Sequence, residues 1–164
     1  SIKDLYWDIR PKPEFGTVEI RVCDTPLTVE RAAALAALAQ SLVRHLLRTR
    51  PALNTQRQLY VARYNKFQAC RYGFDGRISD PVSLRQVPLR QIARELLAAL
   101  VEDARELGCS AWLELLQASL AGEISDSRWL RGRQAIHKNL NDVVREATMR
   151  FSNKGSLHLA EGQR

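Results

Sequence analysis

At 164 residues, with 45% hydrophobic and 26% charged residues, the chain is expected to form one globular domain with a sizeable core. No apolar stretch approaches the roughly 20 residues of a membrane span, so we expect no membrane partner. The three cysteines show no C-x-x-C spacing, which argues against a disulfide framework or a zinc site. We therefore expect a cytoplasmic protein. The net charge of +7 suits nucleic acid or a phosphorylated ligand, but the arginines are scattered, which favours a solvated basic surface.

Two short stretches near the start of the chain alternate with period two, which is typical of half-buried strands. The first is Leu5–Arg10 and the second is Thr17–Cys23. On the second, Glu19 and Arg21 share one face, and Arg10 lies on the polar face of the first. The opposite, apolar face of the second stretch consists of Val18, Ile20 and Val22. Prolines and a glycine separate the two stretches, so we predict an antiparallel hairpin over residues 5–23 as the only sheet.

Almost everything after Pro26 is predicted to be helical. Thr28 is a suitable N-cap for a helix that runs to about Arg48. Its leucines at positions 35, 38 and 42 are expected to cover the apolar face of the hairpin. The other predicted helices are Thr55–Arg71, Pro88–Leu107 closed by Gly108, Ala111–Ala121, a short helix capped by Ser125-Asp126, and a last helix through Val143 and Phe151. Residues 74–81 are predicted to be a turn, and residues 152–164 a flexible tail after a domain over residues 1–151.

The second predicted helix carries an aromatic stripe, Tyr60, Tyr64 and Phe67, at helical spacing. This pattern favours packing into the core. No serine–histidine–aspartate arrangement, phosphate-binding glycine loop or dinucleotide-binding glycine pattern stands out in the chain.

Glu19 and Arg21 are the residues on which chemistry is expected to depend. Two residues apart on a strand, they present a carboxylate and a guanidinium to the same space. Mg²⁺ takes carboxylate oxygens at phosphate sites, and the guanidinium fork matches phosphoryl oxygens. The same pattern is also typical of a cross-strand salt bridge on a solvated sheet face, so the spacing alone leaves both interpretations open.

Three motifs add a more specific indication. The stretches W-D-I-R-P, F-G-T-V-E-I-R-V-C-D-T-P and Y-N-K-F-Q-A-C-R-Y-G-F-D-G resemble the carboxylate–amine ligase family, also called glutamate–cysteine ligase type 2. The resemblance extends from about Leu5 to about Val144. It implies an α+β fold, the C-terminal part of a glutamine synthetase-like catalytic domain. In such a domain an antiparallel sheet forms a funnel that holds ATP and divalent metal ions, and helices pack outside it.

The resemblance also implies an activity. The side-chain carboxylate of glutamate would attack the γ-phosphate of ATP to form an acyl phosphate, with Mg²⁺ as cofactor. The amine of cysteine or a related compound would then displace phosphate and leave an amide. The implied partners are therefore these small-molecule substrates, and nucleic acid is not among them.

Individual residues match the family's motifs. Glu19 matches the metal-binding glutamate, and Arg21 matches the arginine that contacts the transferred phosphate. Arg10 falls in a motif whose arginine is expected to face the same funnel. Asn65 and Arg71 match an N-x-x-x-A-x-R element and are predicted to bind the nucleotide. On a regular helix their side chains are about 120° apart, so they would converge on one ligand only if the helix loosens near Arg71.

The sequence begins at the hairpin, whereas the family's catalytic domain has further strands before it. We therefore expect a fragment with an incomplete site that is inactive alone, needs the N-terminal part of the same domain, and self-associates through its open strand edges. Two alternatives stay open. One is a non-catalytic helical interaction module, and the other is a basic nucleic-acid-binding module.

Overall fold

The structure, a computed structural model, describes residues 8–51, 55–122 and 125–152. The strands are β1 (Ile9–Lys12), β2 (Thr17–Ile20), β3 (Arg77–Ser79) and β4 (Gln86–Pro88). The helices are α1 (Val29–Thr49), α2 (Thr55–Tyr72), α3 (Leu89–Ala99), α4 (Val101–Glu106), α5 (Ser110–Gly122), α6 (Asp126–His137) and α7 (Leu140–Ser152). The fold is thus mostly helical with two small antiparallel sheets, consistent with the predicted α+β class. Residues 5–7 of the predicted first strand and residues 153–164 of the predicted tail lie outside the described residues.

Strands β1 and β2 form the predicted antiparallel hairpin, with Arg10 opposite Glu19 and Ile9 opposite Ile20. A short 3-10 turn, Pro13–Phe15, connects the two strands. Gly16 follows this turn with φ +61°, a left-handed conformation that glycine adopts without a steric penalty. Among the described residues, the strands of this hairpin cover residues 9–12 and 17–20, and the N–H of Arg21 donates to the backbone oxygen of Asp8 at 2.7 Å just beyond them.

A second hairpin, which the sequence did not predict, lies between α2 and α3. Strand β3 pairs antiparallel with β4, and Ile78 lies opposite Val87. The turn between the strands depends on Asp80, whose Oδ1 accepts the backbone N–H groups of Val82 and Ser83 at 3.1 and 2.6 Å. Strands of three residues are too short to show period-two alternation, so the prediction of a single sheet was wrong. Pro88 ends β4 and does not lie in the first turn of the helix.

The core lies among α1, α3, α4 and α5. Its cluster of buried residues contains Ala37, Leu97, Leu100, Ala104, Cys109, Leu113 and Leu120. Leu38 and Leu42 of α1 pack against this cluster. The prediction that the α1 leucines cover the hairpin was therefore wrong, since Val18 and Ile20 remain 62% and 44% exposed. Helix α1 contacts α5 and α4, and the buried cluster between them offers α1 a continuous apolar surface.

The helix predicted from Pro88 to Leu107 is two helices in the structure. The break is at Leu100, with φ −91° and ψ −3°, whose N–H donates to carbonyl oxygens of α3 while its buried side chain stays in the core. Gly108 closes α4 in a left-handed conformation, with φ +68°, as predicted. The caps predicted at Thr28 and Ser125 are confirmed, because each side chain accepts the backbone N–H three residues later.

A buried carboxylate joins α1 to α4. Asp103 is 1% exposed, and its oxygens accept hydrogen bonds from Nε and Nη2 of Arg48 at 3.2 and 3.0 Å. Nδ1 of His45 lies 2.9 Å from Oδ2 of the same carboxylate. The bonds from Arg48, followed by that from His45, outweigh the effect of burial and lower the pKa of Asp103 to about 2. Asp103 is therefore ionised and paired at neutral pH.

The aromatic stripe of α2 is not in the core. Tyr60, Tyr64 and Phe67 are 65%, 41% and 60% exposed, so the interpretation as core packing was wrong. Helix α2 contacts β3 and the turn before it, and it contributes no residue to the buried cluster. Within the described ranges, no helix has the length and apolarity needed to cross a bilayer.

Candidate functional site

Arg10, Glu19 and Arg21 come together on the polar face of the first hairpin. Because Arg10 and Glu19 are opposite each other in the register, their side chains meet across the strands. Nε and Nη2 of Arg10 lie 2.7 and 2.6 Å from Oε2 of Glu19. Nε of Arg21 lies 3.8 Å from Oε1 of the same carboxylate. The predicted convergence of these three residues is thus present, and so is the cross-strand salt bridge that the spacing had left open.

This arrangement keeps Glu19 ionised. The hydrogen bond from Arg10 lowers the pKa of Glu19, partial burial opposes this shift, and the charges of Arg10, Arg21 and Lys12 lower the pKa further. The Glu19 side chain is 38% exposed, and Oε1 is beyond hydrogen-bond distance of Arg21. One carboxylate oxygen is therefore available to a ligand.

A metal ion at this face would have Glu19 as its protein ligand. Among the residues that the structure describes, no group of three or more histidine, cysteine, aspartate or glutamate side chains is placed to hold a metal. Mg²⁺ at phosphate sites is commonly bound by one or two carboxylates together with phosphate oxygens and water. The donor set therefore fits one carboxylate contact to Mg²⁺ and not a complete protein cage.

A cleft of about 890 Å³ lies beside the hairpin, between α2, α3 and α6. Both Asn65 and Arg71 line this cleft, although α2 remains helical to Tyr72 and does not loosen near Arg71. The hairpin reaches the cleft through Asp8, whose Oδ1 lies 2.5 Å from Nζ of Lys66. The cleft therefore adjoins the start of the hairpin, and Arg10, Glu19 and Arg21 are not among its lining residues.

Asn65 uses its side chain to hold the second hairpin. Its Nδ2 donates to the backbone oxygen of Ser79 at 2.9 Å, and its Oδ1 accepts the backbone N–H of Ser79 at 2.7 Å. The amide thus pairs with β3 as a neighbouring strand would, and Ser79 is buried. Asn65 shapes the cleft by this contact, and its role as a nucleotide ligand stays a prediction.

The cleft is basic. Its lining includes six basic residues and three acidic ones, and the basic residues are Arg63, Lys66, Arg71, Arg90, Arg128 and Arg131. Asp75 pairs with Arg90 and Arg128 at 3.4 and 3.3 Å. Sequence reasoning selected Arg71 alone from this set, because arginines on three different helices give no signal in the linear pattern.

An apolar groove lies on the other side of the first hairpin. Ile9, Val18 and Ile20 face residues of α1, among them Val43 and Leu47, across a groove of about 810 Å³. The apolar face of the hairpin is therefore directed toward α1, as predicted. It meets a different strip of that helix from the leucines at positions 35, 38 and 42.

Comparison with known proteins places these residues in a family context. Residues 1–146 match the family model described as glutamate-cysteine ligase family 2. A protein of Dechloromonas aromatica (strain RCB), named "Putative glutamate--cysteine ligase 2", is 66% identical over 94% of this chain and 40% of its own length. Relatives of the same name in Polaromonas naphthalenivorans (strain CJ2) and Paracidovorax citrulli (strain AAC00-1) are 47% and 46% identical over 92% of this chain and 40% of their length. The chain thus spans about 40% of the length of the curated relatives that it matches.

Proposed function

Since the chain belongs to glutamate-cysteine ligase family 2, we propose that it forms part of the active site of an ATP-dependent carboxylate–amine ligase. The observation that supports this most directly is the convergence of Arg10, Glu19 and Arg21 on one exposed face of the first hairpin. An ionised carboxylate beside two guanidinium groups suits a phosphoryl group and the cation that accompanies it.

The proposed reaction has two steps. The side-chain carboxylate of glutamate attacks the γ-phosphorus of ATP, the bond to the bridging oxygen breaks, and ADP leaves with an acyl phosphate formed. The amine of cysteine or a related compound then attacks the carbonyl carbon. The carbon–oxygen bond to phosphate breaks, the nitrogen loses a proton, and an amide remains. The first step needs compensation of phosphoryl charge, which is the contribution expected of this chain.

Each of the three residues has a distinct proposed role. Arg21 donates hydrogen bonds to the oxygens of the transferred phosphoryl group. Glu19 offers Oε1 to Mg²⁺, which when bound supplies positive charge at the phosphates. Arg10, whose side chain is 16% exposed, holds Oε2 of Glu19 and so fixes the direction of the other oxygen. Arg10 therefore acts by positioning Glu19.

The remaining parts of the site would come from residues that the relatives possess and this sequence does not match. We propose accordingly that the isolated chain has no ligase turnover and that its open strand edges allow self-association. Family membership supports the ligase over a non-catalytic interaction module or a nucleic-acid-binding module.

Replacement of Glu19 by glutamine tests the proposal. Glu19→Gln retains the shape of the side chain and removes its charge, so ATP-dependent ADP release should fall on the order of a hundredfold or more in the enzyme completed with the rest of its catalytic domain. Circular dichroism should show an intact fold.

Glu14→Gln is the matched control, because Glu14 is exposed in the loop of the same hairpin. It should leave turnover unchanged. If Glu19→Gln retains both full turnover and its dependence on Mg²⁺, the assignment of Glu19 is wrong.

A further inference from the structure

The cleft between α2 and α6 gathers basic side chains that the proposed chemistry at the hairpin does not use. Arg63 and Arg71 come from α2, and Arg131 comes from α6, sixty residues later. Only the tertiary structure brings them to one cavity. Like charges that converge in a confined space repel one another, which favours the binding of an anion.

Three of the six basic residues that line the cleft form ion pairs with acidic residues of the protein. Lys66 pairs with Asp8, while Arg90 and Arg128 share Asp75. Within residues 8–51, 55–122 and 125–152, the other three make no hydrogen bond, ion pair or ring contact, and these are Arg63, Arg71 and Arg131. Their guanidinium groups are therefore available to a ligand.

The shape of the cleft limits what this ligand can be. A volume of about 890 Å³ accommodates a molecule of nucleotide size. On α2, Arg63 and Arg71 are eight residues apart, which is about 12 Å along the helix axis. An extended anion with several oxygens can contact both guanidinium groups without drawing the two like charges together. The first turn of α6 also lines the cleft at Ser125 and Ser127, and the positive end of its helix dipole adds to the potential.

We propose that this cleft binds the polyphosphate of a nucleoside triphosphate, with Arg63, Arg71 and Arg131 as its hydrogen-bond donors. The inference rests on the proposed function, in that it assigns the nucleotide of the ligase to this cavity. It adds Arg63 and Arg131, which no sequence motif selected. The Asp8–Lys66 ion pair, whose two members line the cavity, connects the cavity to the residue that precedes the first hairpin.

Calorimetric titration of the 164-residue chain tests the assignment without any turnover. The probes are inorganic tripolyphosphate, ATP and glutamate, each added in the absence of the others. Tripolyphosphate and ATP should bind and compete with each other, whereas glutamate should not compete with them. Arg63→Ala and Arg131→Ala should each weaken tripolyphosphate binding about tenfold, as expected for loss of one charge-assisted contact.

Arg94→Ala is the matched control, because Arg94 is likewise exposed on a helix and likewise has no partner among the described residues, but does not line the cleft. It should leave binding unchanged. Thermal unfolding of all three variants should match that of the parent chain, since each removes an exposed side chain with no partner.

Three outcomes would overturn the proposal. These are binding that Arg63→Ala and Arg131→Ala leave intact, an equal loss with Arg94→Ala, and competition by glutamate at the same arginines. The ligase proposal has a separate test, and it would fail if Glu19→Gln left the turnover of the completed enzyme unchanged. Because tripolyphosphate binding needs no chemistry, either proposal can fail while the other holds.

Discussion

Glu19 combines a structural contact with an accessible oxygen. Its Oε2 is held by Arg10 from the neighbouring strand, whereas Oε1 is only approached by Arg21. In the proposed role the two oxygens of this carboxylate serve different partners, with Oε2 held by Arg10 and Oε1 directed to the ligand. The same positive surroundings lower the pKa of Glu19 and keep it ionised well below neutral pH.

Arg21 offers a test of how the phosphoryl group is contacted. Arg21→Lys retains one positive charge but loses the fork of the guanidinium group. In the completed enzyme we expect kcat to fall about tenfold or more while the KM for ATP changes less, because the charge that Arg21 meets grows in the transition state. Steady-state kinetics with varied ATP would measure both parameters.

Arg94→Lys, on α3 and away from the hairpin, should leave both kinetic parameters unchanged. A rise in KM alone for Arg21→Lys would show that Arg21 contacts ATP equally in the ground state, contrary to the proposed role.

At the scale of elements, α1 and α4 are joined by polar as well as apolar contacts. Asp103 of α4 accepts hydrogen bonds from Arg48 of α1 and lies beside His45 of α1, and the buried hydroxyl of Ser41 in α1 lies 3.6 Å from Sγ of Cys109, between α4 and α5. A buried carboxylate is stabilising only while its partners remain charged and close. Part of the contact between α1 and α4 therefore depends on the ionisation of Asp103.

The stability of the chain should depend on pH through Asp103. Its pKa is lowered from 3.8 to about 2 in the folded state, so its contribution is present above about pH 4 and is lost as the pH falls toward 2. At pH 7, Asp103→Asn should lower the melting temperature by about 5 to 10 °C. The difference between the two proteins should shrink as the pH falls through this window, as measured by thermal unfolding.

Asp142→Asn provides the comparison, because Asp142 forms an ion pair with Arg145 within one turn of α7, where Arg145 is 67% exposed. Exposed pairs contribute little, so its melting temperature should remain close to that of the parent chain. A difference for Asp103→Asn that stays constant from pH 7 to pH 2 would show that the carboxylate charge is not what joins the two helices.

At the scale of the whole molecule, the core and the proposed site lie in different places. Fully buried side chains such as Ala34 and Ala104 belong to the helices, while the first hairpin keeps large apolar residues exposed on one face and its charged cluster on the other. An isolated hairpin is only marginally stable in water. The proposed site residues Glu19 and Arg21 are thus carried by a hairpin that contributes no residue to the buried cluster of the described chain.

Hydrogen exchange should reveal this difference in stability. Amides of α1 and α5, which pack against each other in the core, should exchange only through global unfolding, and amides of β1 and β2 should exchange at least about a hundredfold faster through local opening. Mass spectrometry of peptides from the exchanged chain would measure both. Equal protection of the hairpin and α5 would contradict the separation of core and site. Equal protection accompanied by dimerisation in sedimentation would instead support the predicted pairing of strand edges.

Local features of the fold could be predicted from the sequence because they depend on neighbouring residues. Thr28 and Ser125 cap helices through hydrogen bonds three residues away, and Gly108 ends α4 because its backbone conformation suits glycine. Glu19 and Arg21 share a face because side chains alternate along any strand. The predicted positions of the helices and of the charged pair follow from these short-range rules.

Contacts between distant segments were decided only by the tertiary structure. Leu38 and Leu42 of α1 pack against the buried cluster of the helices, where α1 contacts α4 and α5, and not against the hairpin as the sequence had predicted. The side chain of Asn65 pairs with the backbone of Ser79, fourteen residues away in β3, and Arg63 and Arg131 line the same cleft. Helical periodicity fixes which residues share a face but not which element that face meets, since that choice depends on how all the helices pack together at once.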